Sequence, residues 1–237
     1  MIHILKEESF KANDPVINRL EDLIHDMKTP ISIIYAIAQI IEDKNICFEK
    51  LPSLAEKIKD NCHFLLKIVE SAMDERQLSS GGAAQNLIYG NIVSVIENIV
   101  DSMVPLADRK LIKFDMSSNV AEMFVFYNHS TIERILHNLI SNALKFTFTN
   151  EAVEILFTDC GTSYAIEVRD NGLGMTEERI ARVFERRGNL DLQNNGSGIG
   201  LPSTKVLVES MGGSISVWNR TDGRTGLCVK IALPQEL

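Results

Sequence analysis

The chain has 237 residues, of which 45% are hydrophobic, and its formal net charge is −8 at pH 7. This composition predicts a folded protein of one large or two modest domains. Because binding to a nucleic-acid backbone requires clustered positive charge, and no basic stripe is visible, we expect no nucleic-acid partner. No apolar stretch approaches the roughly 20 residues of a membrane span. We therefore expect a cytoplasmic fragment without direct membrane contact; any membrane anchor of a longer parent protein would lie outside this sequence.

The N-terminal third predicts two long helices. Asp14-Pro15 is typical of an N-cap and a first helical residue, and Asn45 suggests a stop. Apolar residues then recur at alternating spacings of four and three, which is a heptad seam. The seam residues are Leu20, Ile24, Met27, Ile31, Ile34, Ala38 and Ile41. A second periodic stretch contains Leu54, Ile58, Leu65, Ile68 and Ala72. Either this hairpin packs on the rest of the chain, or two copies dimerise into a four-helix bundle, which we favour.

A break at residues 79–82 indicates a linker, after which helices and strands are mixed. We expect domains at residues 1–80 and 89–237, joined by a linker at 81–88. Helices are predicted over 92–107, 130–146, 176–184 and 199–211, and strands over 111–116, 153–159, 164–169, 214–219 and 227–233. The fold class is α+β, with adjacent strands expected to be antiparallel. Pro105 is expected to kink or break its helix, and Ser130 and Thr176 are expected to be N-caps.

His25 begins the sequence HDMKTP. In the seam register, His25 and Thr29 share the polar face of the helix. An exposed imidazole beside a carboxylate, here Asp26, is a nucleophile that the carboxylate can orient or deprotonate. Pro30 removes one helical hydrogen bond and is expected to bend the helix beside His25. Taken alone, such a segment is more often an ordinary surface histidine.

A second segment, ILHNLISNALKFT, runs from Ile135 to Thr147. Asn138, Asn142 and Lys145 share one helical face at spacings of four and three, so all three can meet one ligand. Amide oxygens suit Mg²⁺, and a lysine ammonium suits phosphate oxygens. A different face carries the apolar residues Ile135, Leu139, Ala143 and Phe146. The bland alternative is two surface asparagines, although asparagine is mildly unfavourable within a helix.

Two glycine-rich segments follow. In DNGLGM, Asp170 stands at a strand end, where it can accept a hydrogen bond from an exocyclic amine, while Gly172 and Gly174 permit positive φ and close approach to a flat ligand. A simple tight turn would explain the same residues. In NGSGIG, the backbone amides at a predicted helix start form an anion site, but flexible loops look alike. Its glycines are Gly196, Gly198 and Gly200.

In this order, the segments resemble the motifs of the histidine kinase family. HDMKTP resembles its phosphoacceptor box, NLISNALKFT its asparagine box, DNGLGM its first glycine box and NGSGIGLP its second. RVFER, which contains Phe184, resembles its phenylalanine box. The resemblance spans nearly the whole chain. It implies a Bergerat-type ATP-binding domain, an α/β sandwich with a mixed sheet and helices on one side, following the N-terminal helical hairpin.

The resemblance also implies a function. His25 would be the phosphoacceptor, Asp26 its acidic neighbour, and Thr29 a residue of phosphatase chemistry. The homodimer would phosphorylate His25 from ATP and pass the phosphoryl group to an aspartate of a response-regulator receiver domain, and it would also be able to dephosphorylate the regulator.

For the nucleotide, the resemblance implies that Asn142, with Asn138, holds Mg²⁺ and that Lys145 contacts phosphate. Asp170 would bind the adenine amine against a wall shaped by Gly172 and Gly174. The phosphates would be contacted by Gly196, Gly198 and Gly200. One departure is that Gly226 is followed by Leu227 where the family often has threonine, which removes one water-mediated contact to adenine.

Two other functions fit parts of the sequence. An ATPase switch related to topoisomerase and chaperone ATPases would use the same ATP fold, but such proteins have no reason to carry the HDMKTP hairpin. A non-catalytic scaffold that dimerises would not need intact asparagine and glycine boxes. The histidine kinase interpretation accounts for all the segments.

Overall fold

The structure is a computed structural model that describes residues 15–42, 48–79, 86–185 and 200–236. The described residues form two compact units, one up to Ala72 and one from Met73 onward. The domain limits expected from the sequence stay a prediction. Within the described ranges, no helix is both long enough and apolar enough to cross a membrane.

The first unit consists of helix α1 (Pro15–Glu42) and most of α2 (Leu51–Ser79), with a short 3-10 turn at Phe48–Lys50. Helix α1 begins at Pro15, as predicted, and continues through Pro30. Asp14 and Asn45, the expected cap and stop, lie outside the described residues. Helix α2 ends at Ser79, where the sequence predicts a break.

The apolar seam of α1 is largely uncovered in the single chain. Ile24, Ile31 and Ile41 are 58%, 49% and 41% exposed. Among the described residues of the two helices, the buried large hydrophobic side chains are Ile37 and Ile68. The single chain therefore leaves an apolar face on α1 without a partner, and the four-helix bundle is not established by it.

The second unit is an α+β domain. Its elements are β1 (Ile88–Asn91), α3 (Ile92–Arg109), β2 (Lys113–Ser118), β3 (Phe124–Tyr127), α4 (His129–Phe146), β4 (Ala152–Asp159), β5 (Ser163–Asp170), α5 (Glu177–Ala181), α6 (Gly200–Ser210), β6 (Ser214–Asn219) and β7 (Leu227–Pro234). Strands β1 and β3 form a two-stranded antiparallel sheet. The main sheet has the order β2-β4-β5-β7-β6.

One face of the main sheet carries the core. Along β4, Val153, Ile155 and Phe157 are buried, whereas the alternate residues are only half-buried. This alternation is the pattern of a sheet covered on one face. Helices α3, α4 and α6 supply the apolar residues that pack against it, among them Ile96, Leu136 and Val208. The structure confirms a mixed α+β fold with helices against a mixed sheet.

Several local expectations are wrong. Strands β2 and β4 are parallel, because α4 and β3 intervene between them and return the chain in the same direction. Strand β2 begins at Lys113, since Leu111 has a φ of 56° and lies in a turn. Helix α5 spans only Glu177–Ala181. Of the two alternatives expected at Pro105, a kink or a break, the break does not occur, since helix α3 runs through Pro105. No local pattern predicts β1 and β3, because these short strands pair over a long sequence separation.

Candidate functional site

Helix α4 is positioned by its cap and its apolar face. The N-cap is Asn128, not Ser130 as expected; its side chain accepts a hydrogen bond from the Thr131 amide at 3.1 Å. The Ser130 hydroxyl donates to the Asn128 side chain instead. Of the predicted apolar face, Ile135, Leu139 and Ala143 are buried, whereas Phe146 is 42% exposed. Phe146 thus lies at the edge of the core, at the last residue of the helix.

The polar residues of α4 lie on the other side of the helix. Asn138 and Asn142 are half-buried and Lys145 is exposed. The Asn138 side-chain amide donates to the Gly200 carbonyl at 2.6 Å and to the Thr204 hydroxyl. A Cβ atom at Gly200 would lie 2.5 Å from the Asn138 side-chain oxygen, which explains the glycine. Asn138 therefore ties α4 to the first turn of α6, a contact that sequence reasoning did not foresee.

Asp170 ends β5 and is buried, with 7% exposure. Its Oδ1 accepts hydrogen bonds from the backbone amides of Gly172 at 2.9 Å and Leu227 at 3.2 Å. Burial raises the pKa of Asp170 above its ordinary value, while these two hydrogen bonds and the charge of Arg220 act in the opposite direction. The result is a buried carboxylate preorganised by two backbone hydrogen bonds, and a hydrogen bond to a ligand donor is stronger there than in water.

The glycines after Asp170 are required by close packing. A Cβ atom at Gly172 would lie 2.3 Å from the Phe146 carbonyl oxygen, and Thr147 and Gly172 form an antiparallel bridge. Gly172 does not adopt the positive φ that a glycine permits. Gly174 does, at 68°, and its Cβ would lie 2.7 Å from the Asn219 side-chain oxygen. The loop thus packs against the end of α4, so the asparagine and first glycine segments meet.

The second glycine-rich segment is described only in part. Gly196 and Gly198 lie outside the described residues, and Gly200 begins α6. Phe184 is half-buried, and the Lys205 ammonium lies 5.2 Å from the centroid of its ring. Two clefts of about 410 and 460 Å³ open on this unit; Asn171 lines the first and Lys145 the second, whereas Asp170 lines neither.

The predicted phosphoacceptor lies in the first unit. His25 is exposed, with its side chain 78% accessible, and its Nδ1 is 3.9 Å from Oδ1 of Asp26. Thr29, one turn further along, is half-buried, and Pro30 is buried. The imidazole therefore has a carboxylate on its Nδ1 side and is open to an incoming phosphoryl donor.

Comparison with known proteins relates most of the second unit to a family of ATPases. Residues 127–237 match the family described as histidine kinase-, DNA gyrase B-, and HSP90-like ATPase. Residues 127–237 are therefore similar to the ATPase domains of this family. Domains of this family bind ATP, and the matched residues include α4, Asp170 and the glycine segments.

Curated relatives cover most of this chain. Histidine kinase P4 of Formosa agariphila is 26% identical over 242 residues, covering 98% of this chain and 17% of that protein. Sensor histidine kinase YcbM of Bacillus subtilis is 26% identical over 226 residues, covering 93% of this chain and 73% of that protein. The chain therefore spans less than one fifth of the first relative and about three quarters of the second. These matches confirm the predicted resemblance to sensor histidine kinases.

A solved structure shares the fold. The crystal structure of histidine kinase ThkA in complex with response regulator protein TrrA has a TM-score of 0.72 and 18% sequence identity, covering 92% of this chain and 61% of that chain. The likeness confirms the mixed-sheet α+β architecture.

Sequence reasoning missed the residues that hold the Asp170 loop. Asn219 and Arg220, at the end of β6, both contact the segment from Asp170 to Met175, hereafter the 170–175 loop. Gly226 packs its backbone against Asp170, since a Cβ there would lie 1.9 Å from the Asp170 carbonyl oxygen. These contacts join residues about 50 positions apart, and no local pattern signals them.

Proposed function

We propose that this chain is the catalytic core of an ATP-dependent protein histidine kinase that phosphorylates His25. The observation that carries the proposal is an exposed histidine beside Asp26, in a chain whose second unit matches an ATPase family. An exposed surface histidine alone would not suggest phosphorylation. The matched ATPase domain supplies the phosphoryl donor site that makes this histidine the expected acceptor.

The residues of the second unit fit an adenine nucleotide. Asp170 is a buried carboxylate that can accept a hydrogen bond from the adenine amine, and the glycines beside it allow the loop to pack closely around it. Lys145 is an exposed cation suited to phosphate. The Asn142 side chain, half-buried on α4, offers an oxygen ligand for Mg²⁺, with Asn138 as its proposed neighbour. Bound Mg²⁺ would neutralise phosphate charge. Gly196, Gly198 and Gly200 are proposed to contact the phosphates through backbone amides.

The proposed reaction at His25 is transfer of the γ-phosphoryl group of ATP to an imidazole nitrogen. The neutral imidazole carries its proton on Nδ1, which faces Asp26, so the lone pair is on Nε2. Nε2 attacks the γ-phosphorus of ATP; a P–N bond forms, the P–O bond to the β-phosphate breaks, and ADP leaves. Asp26 or solvent takes the Nδ1 proton. Phosphoryl transfer needs little covalent help from the protein, so positioning and charge neutralisation should supply most of the rate.

The second proposed step is transfer to a response regulator. A receiver aspartate would attack the phosphohistidine, breaking the P–N bond and forming an aspartyl phosphate. The complex of ThkA with its response regulator supports a partner of this kind. Thr29, one helical turn after His25, is proposed to support a phosphatase function, in which water hydrolyses the regulator's aspartyl phosphate.

The exposed seam of α1 supports a homodimer. Ile24, Ile31 and Ile41 form an apolar face that water covers in the single chain. A second copy of the chain would remove that face from water, giving the predicted four-helix bundle. Burying such side chains supplies about 1.5–3 kcal/mol each, so several of them favour association.

The test is incubation with γ-labelled ATP and Mg²⁺. The wild type should incorporate acid-labile, base-stable label, as phosphohistidine does. His25→Gln should abolish it, whereas His63→Gln, which changes another exposed helical histidine, should retain it. ADP binding should survive in both variants. Acid-labile label in His25→Gln at the wild-type level would contradict the proposal.

A further inference from the structure

Asn219, the last residue of β6, and the next residue, Arg220, form hydrogen bonds near the two ends of the 170–175 loop. Asn219 forms a two-way contact with Met175: its side-chain amide donates to the Met175 carbonyl at 2.7 Å, and the Met175 amide donates to its Oδ1 at 2.8 Å. The neighbouring residue, Arg220, donates from Nη1 to Oδ1 of Asn171 at 2.7 Å. The last residue of β6 and the residue after it therefore contact the loop that begins with Asp170 at Met175 and at Asn171.

The guanidinium of Arg220 is held in one orientation by burial and by ion pairs. Its side chain is only 1% exposed. Nη2 donates to Glu154 at 3.1 Å and to Asp222 at 2.6 Å, and Nε donates to Asp222 at 3.1 Å. The planar guanidinium is thus paired with two carboxylates through Nη2 and Nε, while Nη1 donates to Asn171.

A buried, paired arginine is a poor device for stability alone. Desolvation of the ions offsets most of their attraction, so an apolar side chain of similar volume would often serve as well. Directional donors, by contrast, place a loop in one orientation. The contact at Asn171 is adjacent to Asp170, whose carboxylate is proposed to read adenine.

We propose that Arg220, with Asn219, is a positioning residue for adenine recognition: it holds Asn171 and thereby aims the Asp170 carboxylate at the exocyclic amine of the base. This inference rests on the proposed function of Asp170. It adds Arg220, which directly follows β6 and lies outside the asparagine and glycine segments, to the determinants of nucleotide selectivity.

The charges around Asp170 support the same role. Arg220 lowers the pKa of Asp170 against the larger effect of burial, which favours the charged acceptor. The other titratable group that faces Asp170 is Cys228 on β7, whose pKa burial raises to about 11, so its thiol is neutral near pH 7. Arg220 is therefore the charged side chain that acts on this carboxylate among the described residues.

The test compares two nucleotides by calorimetry. ADP carries the amine, and purine riboside 5′-diphosphate lacks it but is otherwise the same. Arg220→Met removes the guanidinium. Asn171→Ala removes the loop side of the same contact and leaves Arg220 paired with Glu154 and Asp222, so it decides the question if Arg220→Met does not fold. The matched control is Arg224→Met, because Arg224 also pairs with Glu154.

Wild type and Arg224→Met should prefer ADP by about tenfold or more, the value of a hydrogen bond to a charged acceptor. Arg220→Met and Asn171→Ala should lose most of that preference, while binding of the analogue stays near its wild-type value. Folded variants that keep the full preference would overturn the proposal. Equal losses for both nucleotides would also overturn it, because they indicate a structural role only. A wild type without preference for ADP would instead remove the proposed role of Asp170 itself.

Discussion

The substitution Asp170→Asn separates nucleotide recognition from folding. The asparagine oxygen can still accept the hydrogen bonds that Oδ1 of Asp170 receives from Gly172 and Leu227. The other oxygen becomes an amide nitrogen, which is a donor. It would face the adenine amine, another donor, so the proposed contact is lost and repulsion takes its place.

The expected loss follows from the strength of that contact. A hydrogen bond to a charged acceptor contributes about 1.5–3 kcal/mol, which corresponds to roughly 10- to 150-fold in affinity. ATP and ADP should be affected alike, because the change is at the base. The exposed carboxylate Asp115 on β2 is a suitable control site, and Asp115→Asn should leave both affinities unchanged.

Although Asp170→Asn should weaken nucleotide binding, it should not lower the free energy of unfolding of the nucleotide-free protein above the pH window in which Asp170 titrates. Burial raises the pKa of Asp170 in the folded protein, so the charged form is penalised there. Between the ordinary pKa of an aspartate and this raised value, the folded state binds more protons than the unfolded state, and stability falls as pH rises through that window. Above it, Asp170→Asn should be as stable as the wild type or more stable. That advantage should disappear as pH falls through the window.

Calorimetric titration with ADP tests the expected loss of affinity, and thermal unfolding without nucleotide tests the expected stability. Unchanged ADP affinity in a folded Asp170→Asn variant would refute the adenine assignment. An Asp170→Asn variant that is much less stable than the wild type at neutral pH would refute the inference that the buried charge of Asp170 costs stability and serves nucleotide binding.

Three further predictions concern packing, assembly and the metal. Gly226→Ala should destabilise the protein in urea unfolding by clearly more than Gly223→Ala: both sites have positive φ, which costs about 1–2 kcal/mol, but only at Gly226 would the new Cβ collide with the Asp170 carbonyl oxygen. Ile31→Ala should cost about 2–5 kcal/mol of dimer stability if the seam is buried between two copies; light scattering that shows a monomeric wild type at high micromolar concentration would count against the bundle. Asn142→Ala should change the Mg²⁺ dependence of His25 phosphorylation far more than ADP affinity measured without Mg²⁺, and an unaltered Mg²⁺ titration would exclude Asn142 as a ligand.

Much of this protein could be predicted from local patterns in the sequence. The helical periodicity of α1 and α4 identified both helices, because apolar spacing is set by the helix itself. Thr176 caps α5 as expected, since capping depends on neighbouring residues. The order of the motif segments led to the histidine kinase resemblance, which the relatives confirm.

Other features were decided only by the tertiary structure. The parallel pairing of β2 with β4 and the pairing of β1 with β3 depend on distant partners, which periodicity does not report. Gly172 is required by the Phe146 carbonyl, not by a positive φ, and that approach exists only after α4 and β5 have packed.

The same reason explains the candidate site. The sequence by itself identified Asp170 as a polar residue at a strand end followed by glycines. Asp170 becomes buried and gains its two backbone hydrogen bonds only when β5, β6 and β7 pair. The same pairing brings Asn219 and Arg220 into contact with the loop that follows it. Residue types determine which chemistry is available, but a carboxylate acquires a direction and a shifted pKa only from neighbours that the folded chain brings to it.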